Sequence, residues 1–205
     1  MEAASRGSTP AFLNKLLDVV EFECVPVTAK SVEKGNKLFG AAILKTSDLS
    51  SVCVDTNTET ECPLWHGEVA CIRTMFNLPE SDRPPAKECF MIATHEPCSM
   101  CTSAIAWSGF PEVYSLFSYE DTRDAFNIPH DIKMLQDVFG CDRPNQNNIY
   151  FTGYSISALV EGVEDSAAKE ALKARLAKLK TVYHDLSETY QRCKEAGHGG
   201  GIALA

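Results

Sequence analysis

The sequence has no apolar run approaching the roughly 18 residues of a membrane-spanning helix. Met1–Pro10 is small and polar and lacks the apolar region of a secretory signal. Basic residues are scarce: 19 Lys and Arg stand against 28 Asp and Glu, a formal net charge of −9. A protein that grips tRNA or DNA normally needs a basic face, so a polynucleotide partner is disfavoured unless a local basic patch supplies one. No internal repeat is visible. The 9 cysteines are odd in number and follow no disulfide-scaffold rhythm, which points to a reducing compartment, the cytoplasm or nucleus.

What is present is an ordinary globular composition. The 205 residues are 44% hydrophobic and 23% charged, enough for one domain with additions and a sizeable core. Ala11–Phe22 has helical apolar spacing, and Val27–Lys37 reads as a short helix or structured linker. Strands are expected at Leu38–Leu44, Ser51–Val54, Cys89–Thr94, Val113–Phe117 and Ile149–Phe151. Helices are expected at His66–Leu78, Cys98–Trp107, Asp131–Phe139 and Asp165–Cys193. The last carries an apolar stripe from Leu172 to Leu186, which reads as a face in need of a partner surface. The tail Gly197–Gly201 reads as disordered. Strands alternating with helices imply a three-layer α/β/α sandwich.

The chemistry is concentrated in two segments, His66-Gly67-Glu68 and Pro97-Cys98-Ser99-Met100-Cys101. Two cysteines three positions apart share one face of a helical turn, so both sulfurs can reach one ion. His66, Cys98 and Cys101 can hold Zn²⁺ from three sides and leave the fourth for water, the arrangement of a catalytic rather than a structural zinc site. Free amides at the helix start favour the thiolates that zinc needs. Glu68, two residues past the histidine, can handle the water's protons. His95 as a fourth ligand would close the site, and is not assigned to it. The remaining cysteines read as core or surface thiols.

The H-x-E…P-C-x-x-C pattern matches the signature of zinc-dependent deaminases. The chain resembles the cytidine/deoxycytidylate deaminase superfamily, over about Leu38–Phe139. That resemblance implies a mixed five-stranded sheet with both zinc motifs at adjacent helix starts. It implies an N-terminal helical extension (1–37), a zinc-dependent deaminase domain (38–152) and a C-terminal helical extension with a flexible tail (153–205). Leu38-Phe39-Gly40-Ala41-Ala42, Glu120-Asp121 and the Cys98…Trp107 pattern look like the guanine deaminase and tRNA adenosine deaminase branch. By the same resemblance Asn57 would contact the base and Trp107 would lie near a purine. Asp131 is a candidate reader of an amine or ring N–H. The chain departs from the family in placing Leu64-Trp65 before His66 and Gly67 where alanine is common.

The expected activity is hydrolytic deamination of a nucleobase, nucleoside or related small heterocycle, a guanine-like purine favoured, by a zinc-dependent homodimer. A tRNA adenosine deaminase and a non-catalytic, zinc-stabilised partner subunit are the alternatives.

Overall fold

Successive residues of the central strands are apolar, so side chains that alternate up and down bury both faces of the sheet. The computed structural model describes residues 9–198. Its strands are β1 (Gly40–Lys45), β2 (Ser51–Thr56), β3 (Cys89–His95), β4 (Glu112–Phe117) and β5 (Thr152–Ser155). They form one sheet in the order β2-β1-β3-β4-β5. The pairs β1–β2 and β1–β3 are antiparallel, whereas β3–β4 and β4–β5 are parallel. The α-helices are α1 (Pro10–Val19), α2 (Val25–Val32), α3 (Gly67–Phe76), α4 (Ser99–Ser108), α5 (Tyr119–Asp124), α6 (His130–Met134), α7 (Ile156–Glu161) and α8 (Ser166–Glu195).

Ala42, Leu44, Phe90, Ile92 and Tyr114 face one layer, where they meet Leu13, Leu16 and Leu17 of α1 and Leu179 and Tyr183 of α8. Ala41, Ile43, Met91 and Val113 face the other, against Cys71 and Met75 of α3 and Ile105 of α4. The result is the three-layer sandwich with a mixed five-stranded sheet. The helices at both ends of the chain share the sheet's core.

The apolar stripe of α8 needs no second molecule. Leu172, Leu179 and Tyr183 are buried within the chain, with Leu176 and Leu186 packed beside them. Its pairing with α1 is reinforced by Arg175, whose guanidinium reaches Asp18 at 2.7 Å and Glu21 at 3.1 Å. The expectation that this face calls for a partner is therefore corrected: its cover comes from the same chain, from α1, more than 150 residues away in sequence, and from His95, Phe117 and Phe126 around Tyr183.

The element boundaries follow local chemistry. Thr9 caps α1 and Pro10 occupies its first turn, where a missing N–H costs nothing. The helix does not stop at Val19 but continues through a π turn, Val20–Cys24, into α2. Gly109, at φ 82°, ends α4 in the left-handed conformation. The last strand lies at Thr152–Ser155, not Ile149–Phe151. Phe151 enters the core, so pairing with β4 begins only at Thr152, and Ile149 stays 91% exposed. The helix α5 was not anticipated, although Ser118 and Asp121 form a capping box around its start. Of the expected disordered tail, Gly197 and His198 form a turn after α8, and 199–205 lie outside the described residues.

Candidate metal centre

The two motif segments start two helices at the same end of the sheet. His66 is the N-cap of α3 and Cys98 the N-cap of α4, both in extended backbone. Neither side chain caps its own helix, so both are available to a shared ligand. Glu68 and Cys101 follow in the first turns of their helices. The packing is close. A Cβ at Gly67 would sit 2.8 Å from the Phe39 carbonyl oxygen and 3.0 Å from Gly40 Cα. The glycine between His66 and Glu68 lets α3 begin against the backbone of β1, where a side chain does not fit.

A nitrogen of His66 and the sulfurs of Cys98 and Cys101 lie within 4.8 Å of one another. The Cys98 Sγ–His66 Nδ1 distance is 3.6 Å. Tetrahedral zinc, with bonds of about 2.3 Å to sulfur and 2.0–2.1 Å to nitrogen, sets such a pair about 3.6 Å apart. Two thiolates and a neutral imidazole also suit zinc chemically, so the donor set fits. Cys101 is fully buried and Cys98 nearly so. The Cys101 thiol, by hydrogen bonding, and then His66 hold Cys98 well below the ordinary thiol range, while burial pushes Cys101 up. Burial pushes His66 down, but Cys98, Glu68 and Glu59 outweigh it and hold the imidazole up at about 9. A cation in this site must displace those protons, so binding releases protons.

Glu68 is buried in the first turn of α3. Burial, and then the charge of Cys98, raise its carboxyl to about 7. A carboxyl with both protonation states accessible near neutrality, beside the metal donors, can move protons in both directions.

His66 and Cys98 open on a cavity of about 340 Å³, lined also by Lys37, Phe39, Glu59, Leu64, Met100, Ile128, His130, Asp131 and Met134. Asp131 lies on its wall and makes no side-chain hydrogen bond or ion pair among the described residues. Burial chiefly raises its carboxyl to about 7. Asn57 lies behind the wall and is fully buried. Its Oδ1 accepts from the Gly67 amide at 2.6 Å, and its Nδ2 donates to Glu59 Oε2 at 3.0 Å. The side chain thus satisfies the first amide of α3 and leaves one N–H uncommitted.

Trp107 is placed differently from its expected role. It is 92% exposed on the outer side of α4 and lines a separate groove of about 560 Å³ with Pro144, Asn148 and Tyr150. Cys101 and Ile105 face inward, and at about 100° per residue two further positions turn Trp107 to solvent. His95 points into the core between Phe39, Phe117, Phe126 and Tyr183, away from the donors.

Sequence reasoning missed Lys37, Glu59 and His130. The buried Glu59 accepts from Lys37 Nζ at 2.7 Å and from the Lys37 amide at 3.2 Å, and its Oε1 lies 3.5 Å from His66 Nε2. No spacing rule links these positions. The only local signal was a charged residue at the mouth of an apolar strand.

Residues 20–117 match the family model of the cytidine and deoxycytidylate deaminase zinc-binding region. Among solved structures, the chain is similar to a guanine deaminase from Nitrosomonas europaea, at 16% identity over 82% of this chain and 84% of that one, with a TM-score of 0.45. It is also similar to a tRNA:A34 deaminase, at 21% identity over 65% of this chain and 94% of the other, with a TM-score of 0.44. A guanine deaminase from Bacillus subtilis shows 24% identity over 61% of this chain and 76% of that one, with a TM-score of 0.46. No curated protein sequence matches. None of the solved structures carries a substrate across to this chain. The matched region holds His66, Glu68, Cys98 and Cys101, so this part of the chain is similar to the cytidine and deoxycytidylate deaminase zinc-binding region across the whole metal-binding motif.

Proposed function

We propose that the chain is a hydrolytic deaminase that replaces the exocyclic amine of a small aminated heterocycle with oxygen and releases ammonia. A guanine-like purine, as free base or nucleoside, is the first ring to test. The observation that carries this reading is a shared cavity: two metal donors, His66 and Cys98, and the unpaired Asp131 carboxyl line the same space of about 340 Å³. That volume falls within the ordinary range for a small ligand.

Zinc bound by His66, Cys98 and Cys101 would acidify a water and so supply the nucleophile. Glu68 is placed to carry two protons in turn: the first from the attacking water to the ring nitrogen, the second from the newly attached hydroxyl to the amine, which leaves as ammonia. Its burial keeps bulk water from competing for that proton. Asp131 orients the ring by accepting from its N–H or amine edge. Phe39, Met100, Ile128 and Met134 supply the apolar walls. Within a single chain Asp131, not Trp107, is the substrate contact, and Asn57 supports the start of α3 from behind. The net charge of −9 favours a small substrate over a polyanion. The exposed Trp107, Ile149 and Tyr150 give the proposed homodimer its apolar surface.

Ammonia release from the zinc-loaded protein across a panel of bases and nucleosides tests the proposal, with Asp131→Asn as the comparison. Turnover of at least one purine, with a raised KM in the variant, is expected. Inosine formation in tRNA with no turnover of any base or nucleoside would replace this reading with an RNA-directed one. Inertness toward both would leave a zinc-stabilised partner subunit.

A further inference from the structure

Two cysteines outside the metal centre meet at the edge of the sheet. Cys53 lies on β2, the edge strand, and Cys71 in the second turn of α3. Their sulfurs are 3.5 Å apart, in van der Waals contact. Each thiol also packs on the other's backbone: Cys53 Sγ is 3.4 Å from the Cys71 carbonyl oxygen, and Cys71 Sγ is 3.5 Å from that of Cys53. With both backbones this close, side-chain rotation can bring the sulfurs toward a bond of about 2.05 Å. Cys71 is fully buried against the apolar layer, whereas Cys53 is only partly buried. Cys53, on the edge strand, is thus the outer thiol of the pair and Cys71 the inner one. The hydrogen bond from the Cys71 thiol holds Cys53 below the ordinary thiol range, and burial pushes Cys71 up.

We propose that Cys53 and Cys71 are a reversible thiol–disulfide modification site, oxidised by peroxide, whose cross-link closes the chain segment that carries His66 and Glu68. The Cys53 thiolate attacks one peroxide oxygen and the O–O bond breaks. Cys53 becomes a sulfenic acid and the other oxygen leaves as hydroxide, protonated to water. The Cys71 sulfur then attacks the Cys53 sulfur, and the displaced hydroxyl leaves as water with the Cys71 proton. Two thiols and one peroxide give one disulfide and two waters. A dithiol reductant reverses the bond. In a reducing compartment such a pair stays reduced until oxidant appears, as expected of a switch rather than a structural bridge.

The cross-link ties the edge strand to the helix whose first turn holds Glu68. It shortens the free loop that presents Glu59 and His66, which limits how far the histidine arm can move from the cysteine arm. It also constrains the unfolded chain, so the apparent Tm of the oxidised protein rises by about 5 °C or more.

The test uses the zinc-loaded protein, which shields Cys98 and Cys101, treated with stoichiometric hydrogen peroxide and quenched with an alkylating reagent. Trypsin cuts at Lys45 and Arg73 and leaves Cys53, Cys62 and Cys71 on one peptide. A glutamate-specific protease then separates them by cutting after Glu59, Glu61 and Glu68. The expected product joins residues 46–59 to 69–73, two hydrogens lighter than the sum, with Cys62 alkylated and the link lost in dithiothreitol. Cys53→Ser, at a partly buried position on the edge strand, should keep its zinc and lose both the cross-link and the rise in Tm. Full alkylation of Cys53 and Cys71 after peroxide would overturn the proposal. So would a Cys53–Cys62 link, a terminal sulfinic acid on Cys53, or the same Tm rise in Cys53→Ser.

Discussion

His95 should make the fold lose stability in acid, and the amount can be worked out. The ring is 4% exposed and packs on Phe39, Phe117, Phe126 and Tyr183, with centroids 4.6–5.4 Å away. Nδ1 lies 3.0 Å from Thr94 Oγ1, and Nε2 has no hydrogen-bond partner among the described residues. An imidazolium here would be a charge without solvent; burial outweighs the attraction of Asp121 and pushes the group down from 6.5 to about 3. The unfolded chain therefore binds a proton between these values and the folded chain does not. Stability is unaffected above about pH 6.5 and falls as pH drops toward 3, by about 1.4 kcal/mol per unit. At pH 5 the loss is about 2 kcal/mol. Zinc ligands also protonate in acid, so the measurement is a difference. Wild type and His95→Phe, both zinc-loaded, are unfolded in urea between pH 5 and 8. The constant offset from repacking is irrelevant; the difference should bend below pH 6.5 with the stated slope, the variant gaining relative to wild type. Parallel curves for the two proteins would refute the argument.

Further outcomes are expected at the metal centre. Purified protein should carry about one zinc per chain by elemental analysis, and Cys98→Ala or Cys101→Ala should lose metal and activity together; full occupancy in the double variant would contradict the ligand set. Glu68→Gln should keep its zinc and its Tm while its rate of ammonia release falls by at least about 10²–10⁴, because the proton shuttle alone is removed; near-normal turnover would sink that role. Gly67→Ala drives a Cβ against Phe39 and Gly40 and should cost about 1–3 kcal/mol by denaturant unfolding, with weaker zinc binding, since His66 and Glu68 must move with the helix start. An unchanged midpoint would show that α3 can shift freely.

The sequence by itself determined the metal chemistry and most of the layer order. Within each motif the metal donors, and Glu68 as the proposed proton carrier, sit at short spacings on a helix start, and local backbone geometry carries such spacings into space unchanged. Apolar periodicity likewise located β1 to β4 and α3, α4 and α8, because burial of one or both faces imposes that period directly. Tertiary structure decided the rest. It showed what covers the stripe on α8, because a periodic pattern states that a face is buried and not what lies against it. It turned Trp107 outward, because the exposure of a helix position depends on which side of the helix meets the sheet. It brought Lys37, Glu59, His130 and Asp131 to one cavity with His66 and Cys98. It also set Cys53 against Cys71, because contacts between distant elements follow from sheet order and helix packing, which no local spacing encodes.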